Sequence, residues 1–502
     1  VADCHAPVNV LDRLIAAVSP SAGLRRARQR DAIKNYAAGK PRLGQKYWRA
    51  PNSGPNTEIE PSLELMRSRA RQMVRDNPYA ARAVAVLVAH QIGVGITARI
   101  AGDGVQDAWD AWAAKCDHDG LHDLSGIMAL AARTMAEGGE AIIRLRMVSP
   151  ANARKRGLAV PLTLQVMEGD MLPLTVIGSA RNGNMIKNGV EFAPDGSRVA
   201  YHLRKHHPGE KGGVTASLTS ELDRVPAEQI IHLFRVLRPG QIRGVPDFAP
   251  VLLRMKQLDD YEDATLEQAK AQSLLGVFIT GPDPLDAPLG DDSGTPAFEL
   301  YPGMVHNLPG GSEPKFLQPS GSGGFEPFAM HQLLAIGAGL GVTYDQMTGD
   351  LRQANYSSLR AGKIEFRRKV EQDQWQLFVP RMCMPLWDAW KRAADVLMRM
   401  DGASVEWQPP HFEMIDPGKE IDAAIASVRA GFATWDQAVA GFGLDPVKQA
   451  AEIAKANARF DELGLILDVD PRRVANAGSA QDARQNAAVE IAATGAAFQP
   501  PA

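Results

Sequence analysis

Three groups of residues carry side chains capable of metal or acid–base chemistry. Cys116, His118 and His122 form a Cys-x-His-x3-His run, and His202, His206 and His207 lie beside Arg204 and Lys205. Asp259, Asp260, Glu262 and Asp263 crowd a single short stretch. A closed zinc site takes four ligands, usually as two pairs, and the first run has no second pair. In the second group the neighbouring cations disfavour a metal ion, so both groups read as polar turns. The carboxylates lie in a helical pattern, where a charge run ordinarily makes a solvated face or intersubunit ion pairs. Paired carboxylates for two-metal nuclease chemistry are the alternative, a metal-dependent DNA-processing enzyme of a mobile element.

Reaction signatures are otherwise missing. Gly362-Lys363 has no glycine five positions earlier and is followed by Ile364, so it is not a phosphate-binding P-loop. There is no GxSxG nucleophile elbow and no HExxH zinc helix, and Gly303, Gly310 and Gly311 do not fit GxGxxG. The expectation is a protein that is not an enzyme and uses no cofactor or metal.

The chain of 502 residues is long enough for several domains, and a hydrophobic fraction of 45% supports a sizeable core. With 55 basic and 58 acidic residues the net charge is −3, unlike most sequence-specific DNA binders. Near-neutrality fits a partner that slides past, because extensive phosphate neutralisation holds DNA in place. The three cysteines, Cys4, Cys116 and Cys383, are far apart and odd in number, which points to a reducing compartment. Val10 to Val18 carries Asp12 and Arg13, too charged for a secretory core, and no apolar run reaches the ~18–20 residues needed to span a bilayer. A soluble, intracellular chain is expected.

The elements follow from pattern. Residues 1–60 read as a basic arm around Leu24 to Arg30. Helices are expected over Glu64–Val74, Tyr79–Ile92, Val105–Cys116 and Ser125–Glu137. Strands are expected over Glu140–Met147, Leu162–Glu168, Met185–Phe192, Ala200–Lys205 and Ile230–Arg235. Together they make a mixed α+β unit. Leu252, Met255, Leu258, Tyr261, Leu266 and Ala269 recur at helical spacing, placing one amphipathic helix within Pro246–Leu275. Residues 276–326 are rich in Gly and Pro and short-stranded. A short helix follows over Pro327–Gly339, then a turn-rich break over Gly341–Asn355. A long helix spans Ser357–Met398, expected to break at Pro380 and Pro385. Ser404–Phe412 reads as a strand, and Pro417–Ala458 as helix broken over Gly441–Pro446.

Several of these stretches, in order, resemble the lambda-type family of phage portal proteins. The first is Val74-Arg75-Asp76-Asn77-Pro78-Tyr79-Ala80 with Ile92-Gly93-Val94-Gly95-Ile96. The second is Ile231-His232-Leu233-Phe234 with Arg238-Pro239-Gly240-Gln241-Ile242-Arg243-Gly244-Val245-Pro246, leading to Leu258-Asp259-Asp260-Tyr261. The third runs from Ala335 to Tyr344, through Gly349-Asp350 and Asn355-Tyr356-Ser357-Ser358, to Arg360 and the long helix. No single motif is specific; their order across residues 60 to 415 is.

The resemblance implies an α+β portal fold with a mixed wing, a helical stem, a small β-rich clip and a helical crown. By analogy, 61–245 and part of 370–415 would be wing, 246–275 and 327–340 stem helices, 276–326 clip, 341–356 a tunnel loop, 357–416 the long helix and wing return, and 417–502 crown and tail. It implies a ring of about twelve copies at one capsid vertex, passing double-stranded DNA without reading sequence. Terminase, the major capsid protein and head-completion or tail proteins would be its partners. The protein would reside in the virion, and in the host cytoplasm during assembly. Another capsid or scaffolding component is the further alternative. The small and polar Gly349, Asp350, Arg352, Gln353 and Asn355 would touch DNA loosely in the channel. Arg360, Lys363 and Arg367 share a helix face. They would make either salt bridges between subunits or a basic ring facing DNA.

Overall fold

The computed structural model describes residues 52–102, 104–180, 182–210, 222–273, 277–280, 313–316, 325–352, 355–410, 412, 416–444 and 446–465. The chain divides into Val1–Thr57 and Glu58–Ala502, and the second unit holds nearly all of the described residues. The expected basic arm lies almost wholly outside them. So does most of 276–326, where the strand pair Val277–Thr280 and Glu313–Phe316 and the helical residues Phe325 and Glu326 are described.

Helices α1 (Leu63–Asp76) and α2 (Pro78–Gln91) meet at Asn77. The Asn77 side chain accepts the backbone N–H groups of Tyr79 and Ala80 at 3.0 and 3.1 Å, and Pro78 occupies the first helical position. Both features suit a helix start, which explains the Asn-Pro step in the first motif. Strand β1 (Thr97–Ala101), α3 (Val105–Ala113) and α4 (Leu124–Gly138) lead into β2 (Glu140–Met147). After α5 (Pro150–Arg156) comes β3 (Leu162–Glu168).

The span expected as one strand, Met185–Phe192, is instead a hairpin of β5 (Met185–Lys187) and β6 (Val190–Phe192), after the short β4 (Gly178–Ser179). Asn188 and Gly189 between them have φ of 50° and 82°. Asn-Gly is the favoured pair for a tight hairpin turn, so the turn signal overrides the apolar run. With β7 (Arg198–Arg204) and β8 (Leu222–Pro226) these form a five-stranded antiparallel sheet. Strand β9 (Ile230–Phe234) flanks β2 opposite β3 in a second, three-stranded sheet.

Helix α6 (Leu252–Ser273) and α7 (Phe325–Leu340) follow, then α8 (Tyr344–Thr348) and α9 (Tyr356–Asp373). The chain does not break at Pro380. Gln374–Cys383 winds as a π-helix that runs directly into α10 (Met384–Ala394). Proline cannot donate to an α-helical ladder and its ring crowds the carbonyl a turn earlier; widening the turn relieves that crowding without stopping the helix. Pro385 sits in the first turn of α10, where proline fits. Strand β12 (Ser404–Gln408), numbered after the pair β10 and β11 at 277–280 and 313–316, returns to pair with β1. Helices α11 (Pro417–Arg429), α12 (Trp435–Gly441) and α13 (Pro446–Glu462) end the described chain.

Three apolar clusters hold this α+β unit. The first gathers Trp109, Trp112, Trp387, Trp390 and Trp407 with α4 and one face of β2. The second is helical and joins α1, α2, α6, α7, α8 and α9 through Leu87, Met255, Leu258, Ile336, Met347 and Phe366. The third lies between the two larger sheets around Ile142, Val190, Leu203 and Ile242. Strand β2 is shared: Ile143 and Leu145 enter the first cluster and Ile142 the third, as side-chain alternation requires. Among the described residues no helix is long and apolar enough to cross a membrane.

Candidate nucleic-acid interface

The segment after α7 is built more firmly than a loop. Gly341 leaves the helix at φ +70°, and the Lys369 ammonium packs where a Cβ on Gly341 would lie. Lys369 Nζ donates to Leu340 O at 2.8 Å, and Val342 N–H donates to Gly337 O at 3.0 Å, closing the helix end. The break expected over Gly341–Asn355 contains α8. Thr343 begins it, and the Gln346 side chain accepts the Thr343 N–H at 3.1 Å. That Thr-x-x-Gln capping box is legible in the sequence, and it is the signal that marks this helix. Arg82 Nε donates to Gln346 O at 3.0 Å, and Met347 is buried in the helical cluster. The turn-rich break expected here is therefore confined to the residues on either side of α8.

Gly349 ends α8 at φ +75°, with its N–H on Asp345 O at 2.7 Å. Asp350 then forms a clasp with Arg352: the backbone N–H and Nε of Arg352 each donate to Asp350 Oδ1 at 3.0 Å. The second guanidinium nitrogen reaches Oδ2 at 2.8 Å and Glu326 at 3.4 Å. These donors hold the Asp350 carboxyl at a pKa of about 2. Gln353 lies outside the described residues, and Asn355 O accepts the N–H of Leu359 at the start of α9.

On α9, Arg360, Lys363 and Arg367 lie off the buried side marked by Phe366 and Val370. Arg367 sits over the Phe412 ring at 5.5 Å. Arg360 faces the charge of Asp416, and no ion pair within the described residues takes Arg360 or Lys363.

In the expected acidic run Lys256 reaches Asp260 at 2.7 Å and Asp259 at 3.5 Å, while burial and its neighbours Asp259 and Asp263 push the Glu262 pKa up. The Cys-x-His-x3-His run is dispersed: burial pushes the Cys116 thiol up to about 12, and His118 faces Thr163 Oγ1 at 3.2 Å. Asp117 accepts the backbone N–H groups of Asp119, Leu121 and His122. His202 pairs with Glu191 at 3.2 Å, away from His207. Among the described residues, Glu168, Asp170 and His207 alone bring metal-ligating atoms together. The Arg71 guanidinium already pairs with both carboxylates there, and a fixed cation at that point repels a second one.

One cluster escapes sequence reasoning. Glu140, fully buried at the start of β2, accepts from Arg67, from both ends of the Arg243 fork (Nε at 2.9 Å), from Gly244 N–H at 2.8 Å and from His232 Nε2 at 3.0 Å. Burial opposes its charge, and the two guanidinium groups together hold its pKa well below the usual carboxylate range. A Cβ on Gly244 would lie 2.0 Å from Gly139 O, so only glycine lets the two backbones meet here. This contact gives a physical reason for Arg243-Gly244-Val245-Pro246 in the second motif.

The sequence matches a known family. The model of phage portal proteins of the lambda family matches residues 42–374. The chain belongs to that family. This portal protein is 28% identical over 440 residues to a probable portal protein of Halomonas phage phiHAP-1, covering 80% of this chain and 82% of that one. It is 23% identical over 480 residues to portal protein B of Escherichia phage lambda, covering 79% and 84%. Among solved structures it is similar to a chain from the neck of a native gene transfer agent particle, computed with C12 symmetry. That match has 17% identity and a TM-score of 0.47, and it covers 79% of this chain and 96% of the other. Portal proteins are structural components of the virion at the capsid vertex.

Proposed function

We propose that this portal protein closes into a ring of about twelve copies whose centre passes double-stranded DNA during packaging and ejection. The observation that carries the ring is apolar surface left uncovered in one chain. On α6 the stripe is buried through Leu258, but Leu253 is 73% and Leu266 54% exposed, and Leu334 on α7 is 47% exposed. Helices α11 and α12 bury no residue at all within the described chain. Such surface fits neighbours related by rotation, each copy covering the next.

In this reading 61–245 and part of 370–415 form the wing, 246–275 and 327–340 the stem, 276–326 the clip, 357–416 the long helix and wing return, and 417–502 the crown and tail. Gly349–Asn355 faces the channel, where the Asp350–Arg352 clasp keeps a near-neutral surface against the phosphate backbone. Arg360, Lys363 and Arg367 pair with a neighbouring subunit or face DNA. Terminase, the major capsid protein and head-completion or tail proteins dock on the outer surfaces, and assembly takes place in the host cytoplasm. Negative-stain imaging and mass photometry of the full chain test the ring. Closed rings seen along their axis are expected; a persistent monomer at micromolar concentration, with capsid components present, overturns the proposal.

A further inference from the structure

A second charged feature lies away from the channel segment, in the gap between the two larger sheets. Along the even-numbered face of β2 the residues run from buried Glu140, through Ile142 in the third apolar cluster, to Arg144 and Arg146. Gln165 on β3 stands directly across from Arg144. Arg204 ends β7 on the facing sheet, and Lys205 and His206 follow it. These six side chains line one cleft of ≈ 510 Å³.

The charge in this cleft is unbalanced. Arg144 reaches Asp223 at 3.5 Å, but the side chains of Arg146 and Arg204 have no hydrogen bond or ion pair among the described residues. Nε of Arg146 and Nε of Arg204 are donors that are shielded from water and unpartnered. Buried polar atoms without partners are rare in native proteins and call for a ligand or another explanation. Glu168, on the rim, is held by Arg71 at 2.8 Å, which leaves Glu210 as the remaining carboxylate of the lining. Burial and the adjacent Arg144 charge lower the pKa of Arg146, with Asp223 and Asp119 opposing them in part.

We infer that this cleft binds a phosphate group. Guanidinium edges arriving from two sheets surround the cleft, an arrangement that serves a tetrahedral oxyanion with several free oxygens better than a two-oxygen carboxylate. No Phe, Tyr or Trp lines the cleft, and its polar groups are mainly cationic, which suits a phosphate better than a base. Two sources carry that chemistry: the backbone of duplex DNA, and free phosphate. The duplex source rests on the portal reading; the phosphate chemistry does not.

The test uses the full chain and the double variant R146Q/R204Q, both positions being only partly buried. A charge-matched control, R75Q/R399Q, removes two exposed arginines elsewhere. Inorganic phosphate is titrated by calorimetry, and a labelled duplex of scrambled sequence by fluorescence anisotropy at several salt concentrations. The expected result is loss of the phosphate binding heat in the double variant. Its duplex affinity should fall about tenfold, with a salt slope shallower by one to two, at ~0.9 per phosphate contact. The control should match the parent chain. Weakening toward phosphate alone supports the cleft with free phosphate as its ligand; weakening toward the duplex alone assigns it to backbone phosphates. If neither titrant responds, or the control loses as much as the double variant, the inference fails. It fails too if only polyglutamate binding drops, since the site would then serve carboxylates. Imaging the same samples separates the two readings: absent rings in the parent chain count against the portal assembly, while the phosphate titration still reads the cleft.

Discussion

Lys369 on α9 donates to the carbonyl of Leu340 at 2.8 Å, so the last turn of α7 is closed by a side chain from another helix. The ammonium also balances Asp373 and Asp247, and burial lowers its pKa. This single residue joins the two helices on either side of the Gly341–Asn355 segment.

Replacing Lys369 with Met should leave the Leu340 carbonyl unpaired and destabilise the fold by about 1–3 kcal/mol. Hydrogen exchange should quicken at Val342 and Met347 before the rest of the protein. Unchanged exchange there would mean that the α7 end is held by its own backbone alone.

Glu140 should tolerate no loss of its arginines. Arg243→Ala removes one partner of a buried pair and should cost about 3–5 kcal/mol, seen as a fall in the denaturant midpoint. Arg243→Lys should rescue little, because a point charge cannot reproduce the fork onto Glu140 and the bonds to Asn188 O and Gly169 O.

Stability should fall in two steps on acidification. Burial holds His232 at a pKa of about 4, below its ordinary 6.5, so the unfolded chain takes up a proton first. That contribution is complete above pH 6.5 and is lost as the pH falls toward 4, on the order of 3 kcal/mol. The depressed pKa values of Glu140 and Glu191 add a second loss, which begins as the pH drops through the ordinary carboxylate range near 4.5. His232→Gln should remove the first step from the curve of unfolding free energy against pH and spare the second.

Replacing Leu351–Asn355 with glycines should leave rings intact and reduce DNA packaging or retention. A deletion that begins at Met347 should instead lower stability, because that side chain fills the helical core. Equal packaging by the glycine variant would remove the segment from any role against DNA.

Two leucines on α6 should separate folding from assembly. Leu258→Asp places a charge in the helical core, and the subunit should fail to fold stably, at a cost of several kcal/mol. Leu253→Asp, on the 73% exposed side chain, should leave the monomer's melting curve within about 0.5 kcal/mol of the parent's and reduce ring formation in mass photometry. Rings at normal yield from Leu253→Asp would show that this surface is not an interface.

Local rules account for much of the fold. Asn77-Pro78, the alternation in β2 and β3 and the spacing through Leu258 each predict an element that is present within a few residues. The failures have local causes as well. Asn188-Gly189 and Thr343-x-x-Gln346 were both visible as a hairpin turn and a helix start, but each sat inside a stretch read by its overall composition. Pro380 was a different case, because a helix end and a widened helix give the same sequence signal; packing of Phe378 and Met382 into the tryptophan cluster favours continuing the helix.

By itself the sequence determined the α+β class, the major helices and, through motifs kept in order across most of the chain, the portal family. Only the tertiary structure decided which residues those motifs serve. Arg243 and Glu140 stand 103 positions apart, and Ile100 pairs with Val405 across most of the unit. No local propensity encodes such contacts, because they depend on the summed packing of every element between them. The same reason hid the phosphate cleft: Arg146 and Arg204 are ordinary surface arginines in the sequence, and they become neighbours only when two sheets close over a shared core.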